Sequence, residues 1–188
     1  LPGSLQSLLR DVAERRRQHA KSQRKERSLV PVQEIMQKLD TLLPPGECDV
    51  ILHSSISNIG KLDASVTVLA ERLAGRIAGR GNTLLVPALP FNTTMEEYLR
   101  SHREFDVRSA PNAMGALPNI LMGMQGARRS LHPTHSVAAL GPRADFYTGG
   151  HHLDPTPFGP NSPFRKLTEQ NGAIVMLGVG LNSVTNFH

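Results

Sequence analysis

Tryptophan is absent from this chain, and aromatic residues make up only 4% of it. That scarcity argues against a row of stacking platforms for single-stranded nucleic acid. There is one cysteine, Cys48, so no internal disulfide can form and a reducing compartment suits the chain. Lying just ahead of a strand, Cys48 reads as a small core or turn residue rather than an acyl carrier. No apolar run approaches the roughly 18–20 residues needed to cross a bilayer. The basic start also lacks the apolar segment of a secretory signal. A cytoplasmic protein without membrane contact is expected.

What is present suits one folded domain: 39% hydrophobic and 20% charged residues in a chain of 188. The net charge of +5 hints at nucleic acid until it is located. Residues 1–30 hold eight basic and three acidic side chains, which is the whole excess, so residues 31–188 are neutral. Two parts follow: a basic N-terminal helix or extension over 1–30 and an α/β domain over 31–188. Leu5, Leu8, Leu9 and Val12 lie at helical spacing, and the charged second half of a helix over 5–27 has no apolar stripe. An exposed helix is the leading reading of that segment. An arm for nucleic acid, a docking helix for a partner and a clamp for an anionic cofactor are the others.

Within 31–188 the hydrophobic pattern alternates between helical and strand periods. Helices are expected over 31–43, over 65–77 with Ser65 as N-cap, over 114–126 with glycine interruptions, and over 163–170. Strands are expected over 49–53, 83–87, 136–141 and 173–179, and an irregular excursion over 91–113. Such alternation predicts an α/β fold with a largely parallel sheet. Sites in such folds gather beyond the carboxyl ends of strands. Here those ends run into His53-Ser54-Ser55, into Pro87, and through Gly178-Val179-Gly180 towards Asn182, Thr185 and His188. Small hydroxyl residues and glycines there leave room for a ligand and supply donors to it.

Six segments, in order, carry a family resemblance. They are ILHSSISNIG at 51–60, GNTLLVPAL at 81–89, FD at 105–106, MGALPNILMGMQGARRSLHPTHSVAALG at 114–141, PFGPNSPFRKL at 157–167 and GAIVMLGVGLNSVTNFH at 172–188. The sequence resembles the aminoglycoside 3-N-acetyltransferase (antibiotic N-acetyltransferase) family. One departure is Asp63-Ala64, where the family usually has a glycine pair. The family also continues beyond the equivalent of His188, so the resemblance implies a further C-terminal region, supplied by a longer chain, a homodimer or another partner.

The resemblance implies a three-layer α/β/α fold with a largely parallel or mixed central sheet. It further implies transfer of acetyl from acetyl-CoA to an amino group of an aminoglycoside or other amino sugar. A base must take a proton from the amine, work suited to histidine with its reference pKa of about 6.5. Donors must also meet the oxyanion that forms. By resemblance His188 is the base. Ser54 and Ser55 contact the pantetheine or thioester region. Arg129, Ser130, Ser162 and Lys166 contact the anionic coenzyme, and His132 with His135 shapes the coenzyme loop. Asp106 attracts a cationic acceptor. His132, His135, His151, His152 and Asp154 include zinc-ligand types, but Pro133 disfavours a shared helix face and the resemblance implies no metal. The competing reading is a non-catalytic CoA-binding or scaffold protein whose basic N-terminal helix docks nucleic acid or a protein partner.

Overall fold

The computed structural model describes residues 29–101 and 104–184. The helix expected over 5–27 lies outside the described residues, as does His188. The first described strand, β1 (Leu29–Val30), pairs in parallel with β3 (Lys61–Leu62). Between them run α1 (Val32–Leu42), β2 (Val50–Ser54) and the short α2 (Ile56–Ile59). Proline at position 31 leaves α1 without a side-chain cap of its own. The free amide of Val32 instead donates to the Asp63 carboxylate at 2.8 Å. Asp63 thus stitches the start of α1 to the β3 turn at a position where the resembled family has glycine.

The main sheet has five strands in the order β5 (Arg128–Arg129), β6 (Val137–Leu140), β4 (Leu84–Pro87), β2, β7 (Ala173–Leu177). The β4–β2–β7 portion is parallel, while β6 and β5 join antiparallel. The sheet is therefore mixed. The crossover from β2 to β4 is made by α3 (Val66–Ile77), started by Ser65, whose hydroxyl accepts from the Val68 amide at 3.2 Å.

Strand alternation sorts the core into two layers. Val50, Leu52, Leu84, Val86 and Ala138 face Leu69, Leu73 and Ile77 of α3, Met36 and Leu39 of α1, and Leu117 and Leu121 of α5 (Ala116–Met122). Ile51, Leu85, Val137 and Ala139 face the other way. They pack on Tyr147 of α6 (Ala144–Thr148) and on Phe164 and Leu167 of α7 (Pro163–Glu169). Because both faces are covered, β2 reads as a continuous apolar run rather than an alternating one. The three-layer α/β/α arrangement is thereby established.

Two expectations need correction, and a strand stands where none was expected. The 91–113 excursion contains a helix, α4 (Met95–Ser101), whose Tyr98 is buried against Phe91 with ring centroids 5.0 Å apart. Helix α5 occupies only seven residues of the expected 114–126, ending at Gly123. Position 128–129 is an edge strand, held by only two ladder positions against Ala139 and Ala138. Cys48 is buried as expected, its amide donating to Asn82 Oδ1 at 2.8 Å, and burial pushes its thiol pKa up. A protonated thiol of that kind is chemically quiet.

Candidate functional site

Beyond the carboxyl ends of β2 and β4 lies a cavity of about 540 Å³. Its walls come from four places: His53, Ser54 and Ser55 at the end of β2, Pro87 at the end of β4, residues 113–118 leading into α5, and Val179 with Ser183 after β7. Apolar side chains (Ile56, Met114, Leu117) are interspersed with a few polar groups, and among the described residues no Lys, Arg, Asp or Glu lines it.

The polar atoms around the cavity are unusual. Among the described residues, His53 Nε2, Ser54 Oγ and Asn112 Nδ2 are buried without a hydrogen-bond partner. His53 and Ser54 line the cavity, and Asn112 directly precedes its wall residue Ala113. Buried polar atoms are nearly always paired, so two unpartnered ones on lining residues single this crevice out as a candidate binding place. His53 is 4% exposed, and burial pushes its pKa below the ordinary histidine value, with the Ser183 backbone pulling the opposite way. It is a neutral imidazole near neutral pH.

The floor of the site is tight. The Ser55 amide donates to the Leu177 carbonyl at 2.9 Å, and the Ser55 and Ser57 hydroxyls lie 3.2 Å apart. Gly178 follows β7 with φ +71°, and a Cβ there would lie 2.6 Å from the Ser55 carbonyl oxygen. Only glycine allows the strand end to pass so close in that conformation.

A second polar cluster lies on the β5–β6 side. Ser130 and His151 are fully buried, with Ser130 Oγ 3.0 Å from His151 Nδ1 and His151 Nε2 3.0 Å from the Pro157 carbonyl. A carbonyl only accepts, so His151 carries its proton on Nε2 and takes a hydrogen bond from Ser130 on Nδ1. His132 stacks on His151 with centroids 4.5 Å apart, and its Nδ1 accepts from the His135 amide at 3.0 Å. Burial pushes His132 down to about 4, with His151 adding to it, and His135 likewise falls to about 4. His132 and His135 therefore shape the turn from inside it.

The structure brings only part of the sequence-predicted set to the cavity. Ser54 and Ser55 line it. Arg129 instead spends its guanidinium on protein acceptors: Ser136 Oγ at 3.0 Å and the carbonyls of Ala88 at 2.5 Å, Ala110 at 2.5 Å and Pro111 at 3.0 Å. Ser162 is buried as the N-cap of α7, accepting from the Arg165 amide at 3.1 Å. Lys166 donates to the carbonyls of Phe146 at 2.8 Å and Gly149 at 2.6 Å. Asp106 is exposed, and the Arg108 amide and Ser109 hydroxyl hold its carboxyl below the usual range. Sequence reasoning gave no role to His53. For His53 the only available signal was its position heading the hydroxyl run at a strand end.

Comparison with known proteins agrees with this architecture. The family described as aminoglycoside 3-N-acetyltransferase matches residues 51–188. The chain is similar to aminoglycoside N(3)-acetyltransferase IX of Micromonospora chalcea, 32% identical over 152 residues, which are 74% of this chain and 53% of that protein. It is also similar to aminoglycoside N(3)-acetyltransferase VII of Streptomyces paromomycinus, 31% identical over 162 residues, 79% of this chain and 56% of that protein. The chain thus spans about half the length of the curated relatives it matches. Among solved structures, aminoglycoside acetyltransferase AAC(3)-Xa superposes with a TM-score of 0.71 at 28% identity, covering 92% of this chain and 65% of that one. AAC-IIIb in a binary complex with CoASH gives a TM-score of 0.68 at 26% identity, covering 86% of this chain and 64% of that one. By sequence and by fold, the chain belongs to the aminoglycoside 3-N-acetyltransferase family.

Proposed function

We propose that this chain takes part in acetyl transfer from acetyl-CoA to an amino group of an aminoglycoside or other amino sugar, in the cytoplasm, and that the cavity beyond β2 and β4 holds the acyl end of the coenzyme. The observation that carries this is the pair of buried, unpartnered polar atoms, His53 Nε2 and Ser54 Oγ, on residues lining a crevice that no charged side chain lines among the described residues. A pantetheine arm is neutral and carries amide N–H and C=O groups on a short aliphatic frame. That chemistry matches uncharged walls with a few isolated donors and acceptors, whereas a phosphate or a polycation does not. When bound, acetyl-CoA supplies a thioester carbonyl open to attack by an amine.

The chain's own residues divide the rest of the work. Ser54 and Ser55 contact the thioester region from the end of β2. His188 is assigned as the base that frees the amine's lone pair. Asp106, ionised and exposed, meets the acceptor's ammonium groups. Arg129 sets the wall of the cavity: it ties Ala110 and Pro111 to Ala88, and the Ala113 amide donates to Leu89 at 2.8 Å just before the lining residues.

Calorimetry with CoA and acetyl-CoA, alongside thiol release with a panel of aminoglycosides and amino sugars, tests this reading. Binding with acceptor-dependent thiol release, weakened in Ser54→Ala, is the expected result. Binding without release for any acceptor would point to a CoA-binding protein without turnover. No binding of either compound would sink the coenzyme assignment.

A further inference from the structure

The proton balance of amine acetylation leaves a task that one base does not cover. An ammonium group, R–NH3+, ends as an amide, R–NH–CO–CH3, so two protons leave the nitrogen. The first must go before the lone pair can form the C–N bond, and it ends in solution. The second leaves once that bond has formed and the nitrogen has become acidic. The C–S bond then breaks, its electron pair stays on sulfur, and sulfur takes up one proton as a thiol. An ammonium and a thioester thus give an amide, a thiol and one released proton. The first proton is the work assigned above to His188. The second is best carried by a neutral acceptor that faces the reacting atoms and is closed to water.

His53 is the histidine that lines the cavity among the described residues. It is 4% exposed, and its Nε2 is buried without a hydrogen-bond partner among the described residues. The Ser183 backbone interacts with the ring in the sense that favours the protonated form, as a carbonyl acceptor does. Acceptance of a proton at Nε2 requires the neutral ring to carry its proton on Nδ1 and to keep its lone pair on Nε2. The buried histidines on the other side of the sheet edge are differently placed. His151 is bonded at both nitrogens, while the Nδ1 atoms of His132 and His135 are engaged within the 130–136 turn.

We propose that His53 is a second proton acceptor of this site, its Nε2 taking the proton from nitrogen once the C–N bond has formed and passing it to the departing sulfur. This rests on the acetyl-transfer reading above. Burial, which disfavours the imidazolium, ensures that the ring passes the proton on rather than keeping it.

Histidine side-chain 15N NMR on the chain, free and with CoA or acetyl-CoA, tests this without relying on turnover. CoA ends in a thiol that can donate to Nε2, and acetyl-CoA ends in a thioester that cannot. The expected result is a His53 ring protonated on Nδ1 whose Nε2 resonance moves with CoA and stays in place with acetyl-CoA. His53→Asn, which keeps a donor where Nδ1–H stands and has no base at Nε2, identifies the resonance. That variant is expected to bind acetyl-CoA as the unchanged chain does while kcat falls about a hundredfold or more. A proton on Nε2 in the free protein, identical Nε2 resonances in the two complexes, or unchanged kcat in His53→Asn would overturn the proposal and leave acetyl transfer standing. If neither CoA nor acetyl-CoA binds, the acetyl-CoA reading falls and takes this one with it.

Discussion

Single residues set the shape and the acid response of the site. Gly178 is held at φ +71° with the Ser55 carbonyl oxygen 2.6 Å from where its Cβ would stand. Gly178→Ala is expected to cost about 1–3 kcal/mol through backbone strain and contact. Because the displaced atom belongs to Ser55, the variant should also weaken CoA binding, which calorimetry reads beside a thermal melt. The two histidines of the 130–136 turn make a second prediction. His132 and His135 fall to about 4 in the folded chain, against about 6.5 unfolded. Below 6.5 the unfolded chain therefore takes up protons that the folded chain refuses. Stability present above pH 6.5 is lost as pH falls towards 4, by at most about 1.4 kcal/mol per pH unit for each histidine. His135 is half-buried, so solvent screening makes its share the smaller one. Melting temperatures between pH 7 and 4.5 should show the drop, and His135→Gln should flatten it. An unchanged slope in that variant would remove His135 from the account.

Whole segments are held by single side chains at the level of elements. The short strand β5 owes its place to Arg129, whose guanidinium gathers the carbonyls of Ala88, Ala110 and Pro111 and lies 5.4 Å from the centre of the Phe105 ring. Arg129→Ala strips those acceptors at once and is expected to cost about 2–3 kcal/mol. Hydrogen exchange should report where: the Ala113 amide, now bonded to Leu89, should lose protection while Ile51 in the interior strand β2 keeps its own. Equal loss at both positions would mean that Arg129 supports the fold at large rather than the cavity wall. Strand β7 behaves differently. Among the described residues it pairs only with β2, and Ile174 and Met176, on the Ile51 face, are 36% and 41% exposed, because α6 and α7 cover β2, β4 and β6 rather than this edge.

Across the molecule, the amino ends of β2 and β4 are joined to α6 by Asp49. The carboxylate, 7% exposed, accepts from the Thr83 amide at 2.6 Å, Tyr147 Oη at 2.6 Å and the Arg143 guanidinium at 2.9 Å. One acid thus ties β2 to the entry of β4 and to α6. Asp49→Ala leaves a buried phenol and an amide unpaired and is expected to cost about 3 kcal/mol. For a chain of this size that is a fall of roughly 6–12 °C in melting temperature. It should leave CoA affinity unchanged in the folded protein, because Asp49 stands at the opposite end of β2 from the cavity.

The sequence by itself determined the alternating element order, the buried strands at 50–54 and 84–87, the Ser65 cap and the family, because these depend on local periodicity, turn residues and ordered motifs. It also pointed to the ends of the strands and to Ser54 and Ser55, since open α/β sheets place their crevices there. Only the tertiary structure decided what the remaining polar residues do. Arg129, Ser130, Ser162 and Lys166 look alike in sequence as ligand-binding groups, yet each finds an acceptor or donor within the protein. His53 heads the hydroxyl run at the end of β2, and its Nε2 is left without one among the described residues. Whether a polar atom is satisfied depends on partners distant along the chain, as with Arg129 and Ala88, 41 positions apart. A pattern read along the backbone contains no record of such partners.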